Sequence, residues 1–368
     1  MMKTKHVFVI ILAMTAAMLL SGCGSRALMS NSWPGLATDG EVAYLADGQF
    51  VYAVSLADGR EVWRYPEKAD SSLLFIAQPA VAEDGTVIVG SGGNDNRLVA
   101  LDTSSISPAG VPQEKWIFTG AKDHWIGTPL VIGETVFAPN VDGYLYVLDM
   151  QGSATKQAIE AVELGGAIWS QPVADESRVY VASLDHQVHA VDLQSYKLAW
   201  STDDLGGGAP GSPLLGPNGE LFVGTFNSEI VKINPANGQF SSFVSAANWI
   251  WSAPVTDNGT IYFGDLDGYF YAVDSASGNV LWSIQPDGPI VGSALVMTDF
   301  IVFATESGSV YAVDRDGNIV WSEPVGGKIY TAPIAGSDRI VVAPTETDFK
   351  LVVLDTNGNQ INTFTPAN

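Results

Sequence analysis

The sequence predicts an all-β fold, an eight-bladed β-propeller built from four-stranded antiparallel blades. Three observations support this prediction. One phrase, clearest from Ala272 to Trp282 as Ala-Val-Asp-Ser-Ala-Ser-Gly-Asn-Val-Leu-Trp, occurs eight times. Its copies are 40 to 47 residues apart, a period typical of propellers and solenoids. Each period also holds four short segments rich in β-branched and aromatic residues, separated by turn residues. The acidic position of the phrase is filled in turn by Ser55, Asp102, Asp149, Asp192, Asn234, Asp274, Asp314 and Asp355.

The sixth repeat shows the elements of one blade in order. Residues 251–255 form a short extended segment that ends at an Asp-Asn-Gly turn. Residues 260–264, 269–274 and 279–283 are then predicted as the second, third and fourth strands, with a glycine in each intervening turn. Four antiparallel strands make one blade, and radial repetition protects the strand edges from aggregation.

A tryptophan closes the fourth strand in five of the repeats. A large ring on the outer strand can bury apolar area against the neighbouring blade, so a structural docking role is expected. Phe243 and Phe364 are expected to substitute for it in the fifth and eighth repeats. The docking tryptophans are Trp63, Trp116, Trp200, Trp282 and Trp321.

The first 23 residues read as a lipoprotein signal peptide. Lys3 and Lys5 precede a mainly apolar run of 14 residues, too short to span a bilayer as a helix. The run leads into Leu-Ser-Gly-Cys, which resembles the lipobox of bacterial lipoproteins and implies that Cys23 is lipidated. Residues 24–32 are then a short tether, and residues 33–368 form the propeller.

Composition excludes two classes of interaction. The formal net charge is −23, so the surface repels nucleic acid and anionic lipid headgroups, and nucleic-acid binding is excluded. Cys23 is the only cysteine, so no internal disulfide can form despite the predicted export.

The phrase Ala-x-Asp-x-x-x-Gly-x-x-x-Trp resembles the tryptophan-docking motif of the PQQ-type eight-bladed propellers. That family includes the quinoprotein alcohol dehydrogenases and the non-catalytic BamB lipoproteins of outer-membrane assembly, and the resemblance covers about Trp33 to Phe364. The family's enzymes typically use a disulfide between adjacent cysteines and a calcium ion. This chain has no cysteine pair, so no PQQ, calcium or other cofactor is expected, and a PQQ-dependent dehydrogenase is the alternative.

Other chemistry is sparse. His186 and His189 occupy one predicted hairpin, and a zinc site needs three or four ligands. The spacing Asp314-x-Asp316-x-Asn318 lacks the distal glutamate of a calcium loop and reads as a turn. No Ser-His-Asp grouping is apparent. Neither a catalytic residue nor a metal site is predicted.

Aromatic residues precede the first strand of several repeats, and they are expected to ring one mouth of the central channel. Interfaces favour such rings, because they provide large rigid contact areas. The alternative is that they fill the channel and stabilise the blades, and stacked tryptophans could also hold a sugar or a planar cofactor. The predicted surface residues are Phe75, Trp125, Trp169, Trp249, Trp251 and Tyr330.

The sequence therefore predicts an exported, lipid-anchored, monomeric and non-catalytic propeller that acts as a protein-interaction scaffold. The resemblance to BamB implies an envelope protein partner, such as a β-barrel assembly component. In a diderm host the protein would face the periplasm from the outer membrane. In other hosts it would lie on the outer face of the cytoplasmic membrane. A carbohydrate- or solute-binding sensor is a further alternative.

Overall fold

The computed structural model describes residues 33–152 and 154–367. The predicted signal peptide, Cys23 and the tether lie outside the described residues. Within the described ranges the strands form eight four-stranded antiparallel sheets arranged as a propeller, which confirms the predicted fold class. No helix in these ranges is long and apolar enough to cross a bilayer.

Each blade consists of four strands that follow one another in the chain. The strands of blades one to four are β1 (Gly35–Thr38), β2 (Val42–Asp47), β3 (Phe50–Ser55), β4 (Glu61–Tyr65), β5 (Ala80–Val81), β6 (Thr86–Gly90), β7 (Leu98–Ile106), β8 (Pro112–Phe118), β9 (Leu130–Ile132), β10 (Thr135–Pro139), β11 (Tyr144–Asp149), β12 (Glu160–Glu163), β13 (Val173–Ala174), β14 (Arg178–Ala182), β15 (Val188–Asp192) and β16 (Leu198–Ser201).

The strands of blades five to eight are β17 (Leu214–Leu215), β18 (Leu221–Gly224), β19 (Glu229–Ile233), β20 (Phe240–Ser245), β21 (Val255–Asp257), β22 (Thr260–Gly264), β23 (Phe270–Asp274), β24 (Val280–Ile284), β25 (Leu295–Val296), β26 (Ile301–Ala304), β27 (Ser309–Val313), β28 (Ile319–Pro324), β29 (Ile334–Gly336), β30 (Arg339–Val342), β31 (Leu351–Asp355) and β32 (Gln360–Phe364).

The hydrophobic core lies between the blades. Eight clusters of buried side chains each combine residues from two neighbouring blades, and together they run around the ring. The cluster between blades eight and one, for example, joins Leu45 and Val54 to Val341 and Val353. Full burial of one such side chain contributes about 1.5–3 kcal/mol, so every blade depends on both of its neighbours.

The ring closes without a blade shared between the two ends of the chain, because strands β1–β4 and β29–β32 are separate sheets. Side chains join them instead. The Ser337 hydroxyl donates to the Gly40 carbonyl oxygen at 2.8 Å, and Lys350 forms an ion pair with Asp47. The ring is therefore closed by packing and side-chain contacts and not by strand pairing between the first and last blades.

The repeated phrase builds the contact between one blade and the next. Asp274 caps its own turn by accepting a hydrogen bond from the Ser277 backbone N–H at 2.8 Å. Gly278 follows with a φ of +76°, and a bulge in the β23–β24 pairing comes next. Trp282 then lies over Gly317 of the next blade and donates from Nε1 to the Arg315 carbonyl oxygen at 2.7 Å.

The other docking positions vary on this arrangement. Trp200 and Trp321 donate to carbonyl oxygens of the next blade, whereas Trp63 and Trp116 are buried in the clusters between blades. Phe243 lies against Gly278 of blade six, as its expected substitution requires. The expectation for Phe364 is wrong: Asn362 pairs with Val353 and lies against Gly59, so it holds the docking position.

Candidate functional site at the channel mouth

A cavity of about 380 Å³ lies at the centre of the ring, and every blade contributes to its wall. The contributing segment is the one that leads from the fourth strand of one blade into the first strand of the next. One position of this segment lines the cavity in all eight blades, and its side chains are all apolar or aromatic. These residues are Trp33, Ile76, Ile126, Trp169, Pro210, Trp251, Val291 and Tyr330.

Neighbouring positions of this extended segment point in opposite directions, as period-two backbone requires. The residue directly before the lining position is buried between blades: Ile250 packs against Gly224, and Ile290 packs against Gly264. A glycine at the end of the second strand leaves the space for this side chain. The register of the segment therefore decides whether an aromatic residue faces the channel or the core.

Phe75 and Trp125 occupy the buried position, so their predicted place at the mouth is corrected. Both are 0% exposed. Trp125 packs onto Gly90 and donates from Nε1 to the Asn96 carbonyl oxygen at 2.7 Å. Proximity in sequence to the first-strand proline did not distinguish the channel-lining position from the buried position, because the two positions are adjacent residues.

The remaining aromatic residues form a continuous cluster at the mouth. Ring centroids are 5.3 Å apart for Tyr330 and Trp33, 5.1 Å for Trp33 and Trp251, and 5.7 Å for Trp251 and Trp169. Phe226 joins from the side, 5.2 Å from Trp251 and 5.0 Å from Trp249. These separations fall in the range of favourable aromatic pairs. The aromatic cluster thus consists of Trp33, Trp169, Phe226, Trp249, Trp251 and Tyr330.

Sequence reasoning missed two members of the aromatic cluster. Counting back along the chain from the β1–β2 and β29–β30 pairings places Trp33 at the same position of its blade as Tyr330. That count was available in the sequence. Phe226 lies in the turn between the second and third strands of blade five, and no pattern in the repeat marks it.

A buried carboxylate fixes the loop that presents Trp249. Asp265 is fully buried, and its Oδ2 accepts from the Ala247 N–H at 3.1 Å and the Tyr271 hydroxyl at 2.9 Å. Its Oδ1 accepts from the N–H groups of Asp267 and Tyr269 at 3.0 and 2.9 Å. Charge-assisted bonds of this kind are strong, so the loop is held in place.

The cavity wall also carries polar groups. The Ser212 hydroxyl accepts from the Gln171 N–H at 2.9 Å, and the Ser293 hydroxyl accepts from the Ala253 N–H at 3.0 Å. Tyr330 donates to Glu306 at 3.1 Å, and burial together with this carboxylate raises the pKa of the phenol. Among the described residues that line the cavity, none carries a charge.

This wall does not fit PQQ and calcium. PQQ is an anionic carboxylate-bearing quinone, and the wall offers it no lysine or arginine. Over residues 33–152 and 154–367 there is no group of three or more His, Cys, Asp or Glu side chains placed to hold a metal ion. The described mouth therefore has no donor set for that chemistry.

His189 does lie between a serine and an aspartate, which the sequence did not reveal. Its Nδ1 is 2.8 Å from Ser201 Oγ, and its Nε2 is 3.1 Å from Asp185 Oδ2. Tyr146 and Tyr271 hold the same position in blades three and six, and their hydroxyls bond Asp142 and Asp265. His189 therefore anchors a turn in the same way. His186 contacts Asp204 at 3.2 Å.

A comparison with protein families decides the relationship. The family model described as outer membrane protein assembly factor BamB matches residues 127–248 and 241–365. The chain belongs to this family.

Curated members of the family are similar over part of their length. BamB of Nitrosomonas eutropha is 28% identical over 162 residues, which cover 43% of this chain and 39% of the relative. BamB of Moranella endobia is 25% identical over 247 residues, 61% of this chain and 63% of the relative. BamB of Escherichia coli is 27% identical over 147 residues, 40% and 36%. The matches thus span less than two thirds of each relative.

Solved structures support the architecture. The crystal structure of BamB from Moraxella catarrhalis superposes with a TM-score of 0.68 at 16% identity, covering 86% of this chain and 92% of that one. The computationally designed protein Ika8 superposes with a TM-score of 0.65, also at 16% identity, covering 80% and 87%. At this identity the likeness concerns the fold alone.

Proposed function

We propose that this protein is a non-catalytic, lipid-anchored scaffold of the cell envelope that binds a component of the outer-membrane β-barrel assembly machinery through the aromatic cluster. Membership of the BamB family supports an envelope assembly role. The docking surface itself is argued from the geometry of the mouth.

The exposure of Trp249 is the observation that carries the proposal. Its side chain is 48% exposed and Trp33 is 37% exposed, although both belong to an aromatic cluster. Tryptophans dominate binding energy where they can enter a pocket of a partner. The bonds to Asp265 hold the Trp249 loop in place, and this preorganisation lowers the entropy cost of binding. The partner surface should be apolar at its centre and not acidic, because this chain is strongly acidic.

A Trp249→Ala variant tests the docking surface. The tagged full-length chain is purified from gently solubilised native membranes, and the co-purifying β-barrel assembly component is quantified by mass spectrometry. Loss of a central tryptophan should weaken capture by about tenfold or more. Leu281→Ser is the matched control, since Leu281 is 55% exposed and lies on β24, the outer strand of blade six. Equal capture by both variants would refute the aromatic cluster as the docking surface.

A Cys23→Ala variant tests the anchor. Several acyl chains on one cysteine hold a protein firmly on a membrane, whereas an unmodified chain of this composition has no such hold. Fractionation of cells expressing the variant should move the protein from the membrane pellet to the soluble fraction. A Cys23→Ala variant that stays in the membrane pellet, as the wild type does, would contradict lipid anchoring at Cys23.

A further inference from the structure

The central cavity combines two kinds of wall. Trp33, Trp169, Trp251 and Tyr330 supply flat aromatic surface. Gln78 and Gln171 stand two residues further along their segments and supply amide groups. Neither side-chain amide has a hydrogen-bond partner within the part of the chain that the structure describes. An amide both donates and accepts, so each is free to pair with a hydroxyl group.

The charge of the wall restricts which ligand could pair with these amides. The cavity has no lysine or arginine for a phosphate or carboxylate, and no aspartate or glutamate for a cation. A ligand with a formal charge would lose its hydration without gaining a counter-charge. The chemistry therefore favours an uncharged ligand with one flat apolar face and several hydroxyl groups.

We infer that this cavity binds a neutral carbohydrate of one or two pyranose rings. The C–H face of a pyranose packs on aromatic rings, and its hydroxyl groups match the two glutamine amides of the wall. The cavity of about 380 Å³ falls within the range of about 300–1,000 Å³ found for small-molecule sites. The site shares four residues with the aromatic cluster (Trp33, Trp169, Trp251 and Tyr330), whereas Trp249 does not line the cavity and Gln171 does not belong to the cluster.

Calorimetric titration of the purified full chain tests the inference. The probes are cellobiose and N,N′-diacetylchitobiose, two uncharged disaccharides with flat apolar faces, and glucuronic acid serves as a charged comparison. Binding of at least one neutral probe and none of glucuronic acid is expected. Absence of binding by both neutral probes at millimolar concentration, or equal binding of glucuronic acid, would overturn the inference.

Two conservative variants assign the binding to the cavity. Gln78→Leu and Gln171→Leu each keep the approximate size of the side chain but remove the amide that would pair with a hydroxyl group. Each should raise the dissociation constant of the disaccharide by about 3- to 10-fold, which corresponds to the net free energy of one hydrogen bond. Unchanged affinity in both variants would place the ligand elsewhere and refute the site.

Trp249→Ala separates this inference from the proposed docking role. It should keep the affinity for the disaccharide and lose capture of the assembly component. Gln171→Leu should do the reverse. Loss of both activities in either variant would show that Trp249 and Gln171 serve a single binding event, which contradicts a separate carbohydrate-binding activity of the cavity.

Discussion

Trp282 and Trp251 belong to the same blade, and they show how one residue type serves two purposes in this molecule. Trp282 lies over a glycine of the next blade and its Nε1 is bonded to a backbone carbonyl oxygen. Trp251 lies among other aromatic rings at the channel, between Trp33 and Trp169. The docking tryptophan is held by the backbone of the next blade, whereas the mouth tryptophan packs against other aromatic rings.

The largest effect should come from Trp125, which the sequence assigned to the mouth and the structure places with the packing residues. Trp125→Ala removes a fully buried ring from the cluster between blades two and three. A loss of about 3–5 kcal/mol in the free energy of unfolding is expected. Urea denaturation measures this loss, and a value below about 1 kcal/mol would contradict the buried, packing role of Trp125.

A smaller effect is expected at the docking position. Trp282→Phe keeps most of the ring over Gly317 but leaves the Arg315 carbonyl oxygen without this donor. The expected cost is about 1–2 kcal/mol, measured by the same denaturation. Trp251→Phe is the control and should cost less, because no hydrogen bond of its indole is present among the described residues. Equal losses would erase the distinction between the two tryptophans.

The smallest change in stability should come from Trp249→Ala, the variant used for partner capture. Trp249 is half-exposed, and its loop is held by Asp265 and not by its own ring. A change within about 0.5 kcal/mol is expected, as for surface positions in general. A large loss would mean that reduced capture reflects unfolding.

The architecture was predictable because the repeated phrase encodes physical contacts. Its acid, glycine and tryptophan correspond to a turn cap, a left-handed turn residue and a ring that packs on the next blade. The aromatic cluster was only partly predictable. A shift of one residue moves a side chain from the channel to the core. The first strands are so short that their alternation of apolar and polar residues does not show which residues face the channel.

Two apparent defects of the repeat are explained by each other. Blade three lacks the tryptophan, since Glu160 pairs with Val147 at the docking position. Blade four lacks the glycine that such a ring would cover, and Tyr196 takes its place with a φ of +56°. The Tyr196 ring lies 6.0 Å from Phe137, and Lys197 pairs with Glu160 at 2.5 Å. Sequence shows two departures, whereas the structure shows one substituted contact between neighbouring blades.

The separate sheets of blades one and eight have a consequence for how such a ring can change. Because every blade is a continuous piece of chain, a gene duplication or deletion of one period adds or removes one complete blade, with no strand left unpaired. The same continuity permits circular permutation at any turn between blades. At the seam between blades eight and one, non-covalent contacts do the work that the continuous chain does between the other blades, so we expect a pulling force applied to the two ends to open the ring there first.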